Sequence, residues 1–182
     1  SSLGTGRTAV AISAGAEHTC AILDDGTTSC WGRADSGQLG YGGTSEQNTP
    51  TPTSSLGVGR TAVAISSLRA HTCAILDNGF VSCWGDNYYG QLGNGGNSNQ
   101  NTPTPTSSLG AGRTAVAISS GGDHTCSVLD NGNVSCWGRG TSGILGNGGF
   151  SGSNSPIPTS SLGTNRTAAL SERDFDNDGI LN

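Results

Sequence analysis

The residues best equipped for chemistry in this chain are two cysteines flanking an Asp-Asn-Gly turn, with a histidine two positions ahead of the first. They stand in HTCAILDNGFVSCWG, His71 to Gly85. The phrase recurs as HTCAILDDGTTSCWG from His18 and HTCSVLDNGNVSCWG from His124, so the pairs are Cys20/Cys30, Cys73/Cys83 and Cys126/Cys136. Three chemistries suit such a pair: zinc ligation, thiol redox exchange and a cystine staple. Residues i and i+2 share a strand face, so His18, Cys20 and Cys30 could offer a metal three ligands from one hairpin. Zinc usually takes four ligands, with cysteine pairs spaced by two to four residues; nine residues separate this pair. The redox spacing CxxC is missing. Six cysteines in three like pairs read best as a disulfide framework made in an oxidising compartment, with reduced core cysteines as the next reading. Each histidine is read as structural, bonding a turn backbone between units.

The cysteines can be bridged only if the flanking strands set the right register. A three-residue turn at Asp77-Asn78-Gly79, with Gly79 left-handed, pairs Leu76 with Phe80, Ile75 with Val81 and Cys73 with Cys83. Cys73, Ile75, Val81 and Cys83 then share one face. The third repeat follows suit, pairing Val128 with Val134 and Cys126 with Cys136. A two-residue turn would set Ile75 against Ser82 and scramble that face, and register follows the buried face. Opposed residues lie about 4.5–5.5 Å apart at Cα, within disulfide reach. Closing the eleven-residue loop contributes about 2.7 kcal/mol in the chain-entropy picture. Trp31, Trp84 and Trp137 follow the second cysteine and point to the opposite face, where packing between units is expected and a ligand platform is the alternative. The segments like RTAVAIS read as buried strands of about five residues.

The three histidines stand 53 residues apart, and SSLG begins at Ser1, Ser54, Ser107 and Ser160. A fixed period of this length signals a solenoid, propeller or array. The repeats are 1–53, 54–106 and 107–159, with a partial fourth at 160–171. The chain has 182 residues, 31 of them glycine, no lysine, no methionine and a net charge of −5. Without a basic cluster it lacks the footprint of a nucleic-acid binder. No apolar run is long enough to span a bilayer as a helix. With neither methionine nor a visible leader, the chain is expected to be a processed or excised piece of a longer protein. Repeated Asp and His could serve acid–base chemistry, but such catalysis needs groups in different environments, and near-identical repeats supply nearly the same one three times. The expectation is that the chain is not an enzyme.

HTCAILDNGFVSCWGDNYYGQLGNGG, with its linked HTC, CWG and GQLG motifs, resembles the regulator of chromosome condensation repeat in an extracellular microbial, cysteine-paired form. The first repeat departs at Arg33-Ala34-Asp35-Ser36, where the second has Asn87, and the third has Ile144 in place of Gln91. The resemblance covers residues 1–171. It implies an all-β fold of β-propeller-type blades, each of four short antiparallel strands and usually seven to a ring. It does not imply nucleotide exchange, since fold does not carry function. Relatives include binding scaffolds, among them secreted inhibitors of β-lactamase. Within such a family a strand of one repeat commonly completes the neighbouring blade. Ser160 to Ser171 would then finish the third blade and leave Arg7, Thr8, Ala9, Val10, Ala11, Ile12 and Ser13 as an assembly strand for another chain, with an open filament as the outcome.

The tail at 172–182 reads as an acidic linker to a further module. Asp174, Asp176, Asp178 and Asn182, with Gly179, look like the start of a thrombospondin type 3 or EF-hand calcium loop. Ca2+ is the one cofactor implied, and none is required for the rest. The links NTPTPTSSLG (48–57 and 101–110) read as extended connectors, with O-glycosylation possible in an exported protein. Asn133 and Asn165 fit the N-glycan pattern. The sequence thus points to an exported scaffold, extracellular or on the cell surface, that binds a protein or glycan. A filament subunit is the alternative. Partners are other copies, further repeats or a ligand, with variation at 33–36, 86–89, 139–142 and 97–102 marking the contact loops.

Overall fold

The computed structural model describes residues 3–162. Three four-stranded antiparallel sheets follow one another along the chain. The first holds β1 (Ala9–Ala14), β2 (His18–Leu23), β3 (Thr28–Gly32) and β4 (Gln47–Pro52). The second holds β5 (Ala62–Leu68), β6 (His71–Leu76), β7 (Val81–Gly85) and β8 (Gln100–Pro105). The third holds β9 (Ala115–Ser120), β10 (His124–Leu129), β11 (Val134–Gly138) and β12 (Ser153–Pro158). Strand order within each sheet is sequential, as in a propeller blade.

The central hairpin keeps the expected register. Cys73 opposes Cys83, and Ile75 opposes Val81. In the third blade Cys126 opposes Cys136 and Val128 opposes Val134. Leu76 N–H donates to Phe80 O at 2.8 Å, and Gly79 sits at φ 76°, a backbone region costly for a residue with a Cβ. Counting down from that bonded pair leaves the cysteines at a non-hydrogen-bonded position, where strands run closest. The Cα atoms are 4.1 Å apart in each of Cys20–Cys30, Cys73–Cys83 and Cys126–Cys136.

Two expectations about strands are corrected. The surplus strand is not surplus: Ala9 to Ser13 lie in β1, which pairs with β2 of the same blade from Ala9↔Leu23 to Ala14↔Thr19. Arg7 and Thr8 precede it; Arg7 reaches Asp25 at 2.9 Å, and Thr8 O accepts from Asp24 N–H. The fourth strand comes from the links read as connectors. Gln47–Pro52, Gln100–Pro105 and Ser153–Pro158 are short edge strands that pair at few positions across a bulge. Proline is tolerated there because one edge needs no donor. The third blade is therefore complete without residues 160–171.

The first strands are not fully buried either. Val10, Val63 and Val116 are exposed on β1, β5 and β9. These strands are sheet edges, placed where neighbouring blades converge. Apolar burial lies instead between blades. One cluster joins Cys20, Ile22, Cys30 and Leu39 of the first blade to Ala62, Ala74 and Trp84 of the second. The next joins Cys73, Ile75, Val81, Cys83 and Leu92 to Ala115 and Trp137. The first two cystine faces are thus covered by the tryptophan face of the following blade, the arrangement that cysteine–tryptophan alternation requires.

The third cystine departs from the expectation that every repeat supplies nearly the same environment. Neither Cys126 nor Cys136 belongs to either interblade cluster. Cys136 is 3% exposed and Cys126 is half-buried, whereas the other four cysteines are at 0%. The physical reason is position: among the described residues no following blade lies over the Cys126–Cys136 face. Cys136 is shielded by its own sheet, where it pairs with Ile157 of β12 as well as with Cys126.

Candidate functional site

Two layers must be separated to find a site: the contacts that hold blades together and the groups left at their rim. The six cysteines belong to the first layer. Cys20–Cys30, Cys73–Cys83 and Cys126–Cys136 are all cystines within their own hairpins, which removes the metal, redox and reduced readings together. Cystines of this kind belong to an oxidising environment. Trp84 and Trp137 are fully buried, so they are core rather than platform, whereas Trp31 is half-buried.

The histidines hold neighbouring blades together through side chains. His18 Nε2 lies 2.8 Å from Thr72 Oγ1, and His71 Nε2 lies 3.0 Å from Thr125 Oγ1. Each threonine hydroxyl donates its one proton to a carbonyl, Thr72 to Gln38 O and Thr125 to Gln91 O. It must then accept from the histidine, which fixes Nε2–H as the protonated nitrogen. The Nδ1 atoms of His18 and His71 find no partner among the described residues, as suits a lone pair turned inward. Burial pushes His71 down to about 3 and His18 to about 4, so both are neutral at physiological pH. His124 is lowered too, mainly by burial and against the pull of Asp123.

Backbone contacts repeat the same interblade pattern. Gly26 O accepts from Ala62 N–H, and Gly79 O from Ala115 N–H, each at 2.8 Å. Gly40 and Gly93, from the GQLG turns, lie flat on the indoles of Trp84 and Trp137. A Cβ there would stand 2.8 and 2.7 Å from the indole nitrogen.

The rim is where the blades differ. In the first blade Arg33 is held between Glu17 and Asp35, beside an open groove that also carries Glu46. Arg33 in turn keeps the Asp35 carboxyl below its ordinary range. In the second blade Tyr88 and Tyr89 stand at the positions of Asp35 and Ser36. Tyr88 is 72% exposed and Tyr89 37% exposed. Their rings meet edge to face, 4.9 Å between centroids at 88°, and the Arg139 guanidinium lies 4.9 Å from the Tyr89 ring centre. With Asn97, Gly152, Ser153 and Asn154 they line a cleft of about 460 Å³ between the second and third blades. In the third blade Thr141 and Ser142 follow instead, and Phe150 replaces Asn97.

Sequence variation at 86–89 and 97–102 therefore pointed to this cleft, but its far wall at 152–154 was missed. Those residues open the fourth strand of the next blade, and nothing in their types signals a rim. Asp174, Asp176, Asp178 and Asn182 lie outside the described residues.

The regulator of chromosome condensation (RCC1) repeat matches residues 25–75 and 78–128, and a second form of the same repeat matches 9–38, 62–91 and 115–144. The chain belongs to this repeat family. Ultraviolet-B receptor UVR8 of Arabidopsis thaliana is 35% identical over 143 residues, which are 78% of this chain and 32% of the receptor. The human E3 ubiquitin-protein ligase HERC2 is 32% identical over 144 residues, 79% of this chain and 3% of the ligase. Among solved structures, Prp20p from Saccharomyces cerevisiae superposes with a TM-score of 0.75 at 19% identity, over 86% of this chain and 39% of Prp20p. That likeness fixes the fold as RCC1-type blades. The chain spans about a third or less of the length of these curated relatives.

Proposed function

We propose that this chain is part of an exported, non-enzymatic RCC1-repeat scaffold that binds a protein or glycan through the rim of its blades. The observation that carries the reading is the contrast between blade interiors and rims. Interior contacts recur at the 53-residue period, from cystine to histidine–threonine pair to glycine–tryptophan stack, while residues 33–36, 86–89 and 139–142 differ in charge and size. Rigid scaffolds with divergent loops are how folds acquire binding sites. Prp20p, a distant relative, is described by its binding to Gsp1p and histones. The three cystines support export.

The test uses the native, oxidised chain immobilised against surface and secreted fractions from its source. A variant in which Tyr88 and Tyr89 carry the first blade's Asp and Ser, leaving the buried Asn87 in place, should lose its partner and keep its fold. Retention unchanged by the swap would sink the rim reading. Free thiols in chain recovered from its source would sink export.

Assembly between copies is the second reading, supported by the open face of the first blade. Ile12 is 68% exposed there, whereas its counterparts Ile65 and Ile118 pack against the interblade clusters. A further repeat, in the same chain or another copy, fits that face. Light scattering across a dilution series decides: a discrete mass at every concentration excludes a filament. For the tail, calcium binding at Asp174, Asp176, Asp178 and Asn182 is part of the proposal. Calorimetry with Ca2+ on the full chain against Asp176→Asn tests it, and no heat from the native chain removes it.

A further inference from the structure

We propose that the Tyr88–Tyr89 cleft is a binding site for a neutral oligosaccharide. This rests on the rim reading above and names its ligand class. Three features of the cleft point the same way.

Its aromatic wall is presented rather than packed. Tyr88 shows one large ring to solvent on a turn that cannot easily relax. Tyr88 N–H donates to Asp86 Oδ1, Tyr89 N–H donates to Gln91 Oε1, and Tyr88 O accepts from the Asn97 amide. Gln91 is itself buried and donates to Asp86. Tyr89 backs Tyr88 edge-on, and Arg139 holds Tyr89 from the third blade. A platform fixed in this way loses little entropy when a ligand covers it.

The opposite wall offers acceptors. The Asn154 amide N–H group donates to Gly95 O at 2.8 Å, which orients the side chain across the blade junction. Asn154 Oδ1 then accepts nothing among the described residues, and a ligand hydroxyl can donate to it. An aromatic face beside a few fixed polar groups is the usual build of a small-ligand site. The flat C–H face and hydroxyl rim of a sugar ring match that pair of walls.

Charge sets the class within carbohydrates. The cleft lining is Tyr, Asn, Ser and Gly, with no carboxylate or cationic side chain among the described residues that line it. Arg139, beside the Tyr89 ring, is not among the lining residues and is paired with Asp123. The equivalent positions one period earlier are Asp35, Ser36 and Thr44 opposite Asn99, Gln100 and Asn101, which supply a carboxylate and no aromatic side chain. Sulfated or sialylated glycans therefore find no counter-charge in the tyrosine cleft.

The test applies the oxidised chain to a printed array of gluco-, manno-, galacto- and N-acetylglucosamine oligosaccharides, with sulfated and sialylated glycans and a Thr-Pro repeat peptide alongside. At least one neutral class should be retained, and its affinity by calorimetry should be insensitive to salt. Tyr88→Ala should weaken it about tenfold or more. Tyr88→Phe should largely restore it, and Val58→Ala, a fully exposed control, should leave it unchanged. No retained neutral glycan, a preference for charged glycans, or affinity indifferent to Tyr88→Ala would each overturn the proposal. If only the peptide is retained, and is lost in Tyr88→Ala, the rim reading stands while the carbohydrate falls. If the Tyr88→Asp, Tyr89→Ser swap leaves every binding signal intact, both fall.

Discussion

The two junctions between blades share an interior and differ at the surface. Inside, the first junction sets His18 on Thr72 and Trp84 against Gly40; the second sets His71 on Thr125 and Trp137 against Gly93. One interior difference is small: Trp137 Nε1 donates to Gln91 O at 2.9 Å, while Trp84 Nε1 finds no partner among the described residues. At the rim, the first blade carries an Arg33–Glu17–Asp35 ion triplet of its own, whereas the second junction carries the tyrosine pair and an Arg69–Asp123–Arg139 triplet that bridges the blades. Stacking chemistry thus recurs while the chemistry of the rim changes. The stability of this chain should depend on the first set of residues and its binding on the second.

That separation can be broken most forcefully at the stack. Trp84→Ala removes a fully buried indole and should cost about 3–5 kcal/mol in urea unfolding, whereas Trp31→Ala, at a half-buried site, should cost clearly less in the same chain. Equal losses would mean that blade contacts do not set stability. Replacing Cys73 and Cys83 together by alanine should cost about 2.7 kcal/mol, read as a shift in denaturation midpoint without loss of β-sheet circular dichroism.

Acid should act on the stack as well. The folded histidines sit at about 4 and about 3, below the ordinary value near 6.5, so the unfolded chain binds more protons between those limits. Their contribution is complete above pH 6.5 and is lost as pH falls from there toward 4 and 3. The slope is up to about 1.4 kcal/mol per pH unit for each histidine. A melting temperature that is flat from pH 6.5 to 4 would contradict the buried, neutral assignment. The smallest effect belongs to the rim. Tyr88→Ala should change stability by less than about 0.5 kcal/mol, and a larger loss would show that rim and stack are not separate.

Much of the stack was legible in the sequence, and little of the rim. The turn at Asp77-Asn78-Gly79 fixed the parity of the hairpin, and parity alone put cystines on one face and tryptophans on the other. Those are local consequences of a two-residue side-chain period. The same parity holds for Cys126 and Cys136, but what covers a cystine depends on the next blade and not on its own hairpin. The outer strand was misread because Thr-Pro runs look like connectors, and only its place at a sheet edge makes proline acceptable. The first strand was misread as wholly buried because its alternating apolar residues do not reveal that β1, β5 and β9 are edges. The cleft joins Tyr88 to Asn154, 66 positions apart, and only blade stacking brings them together.

Covering a cystine with the next blade also orders the chemistry of reduction. Cys20, Cys30, Cys73 and Cys83 are fully buried beneath a neighbour, while in the Cys126–Cys136 pair Cys136 is nearly closed off and Cys126 is partly open. A reductant gains the first two bridges only as the blades over them part. The number of thiols released over time would then count the blades still stacked, making each sulfur pair an internal record of how far the array has come apart.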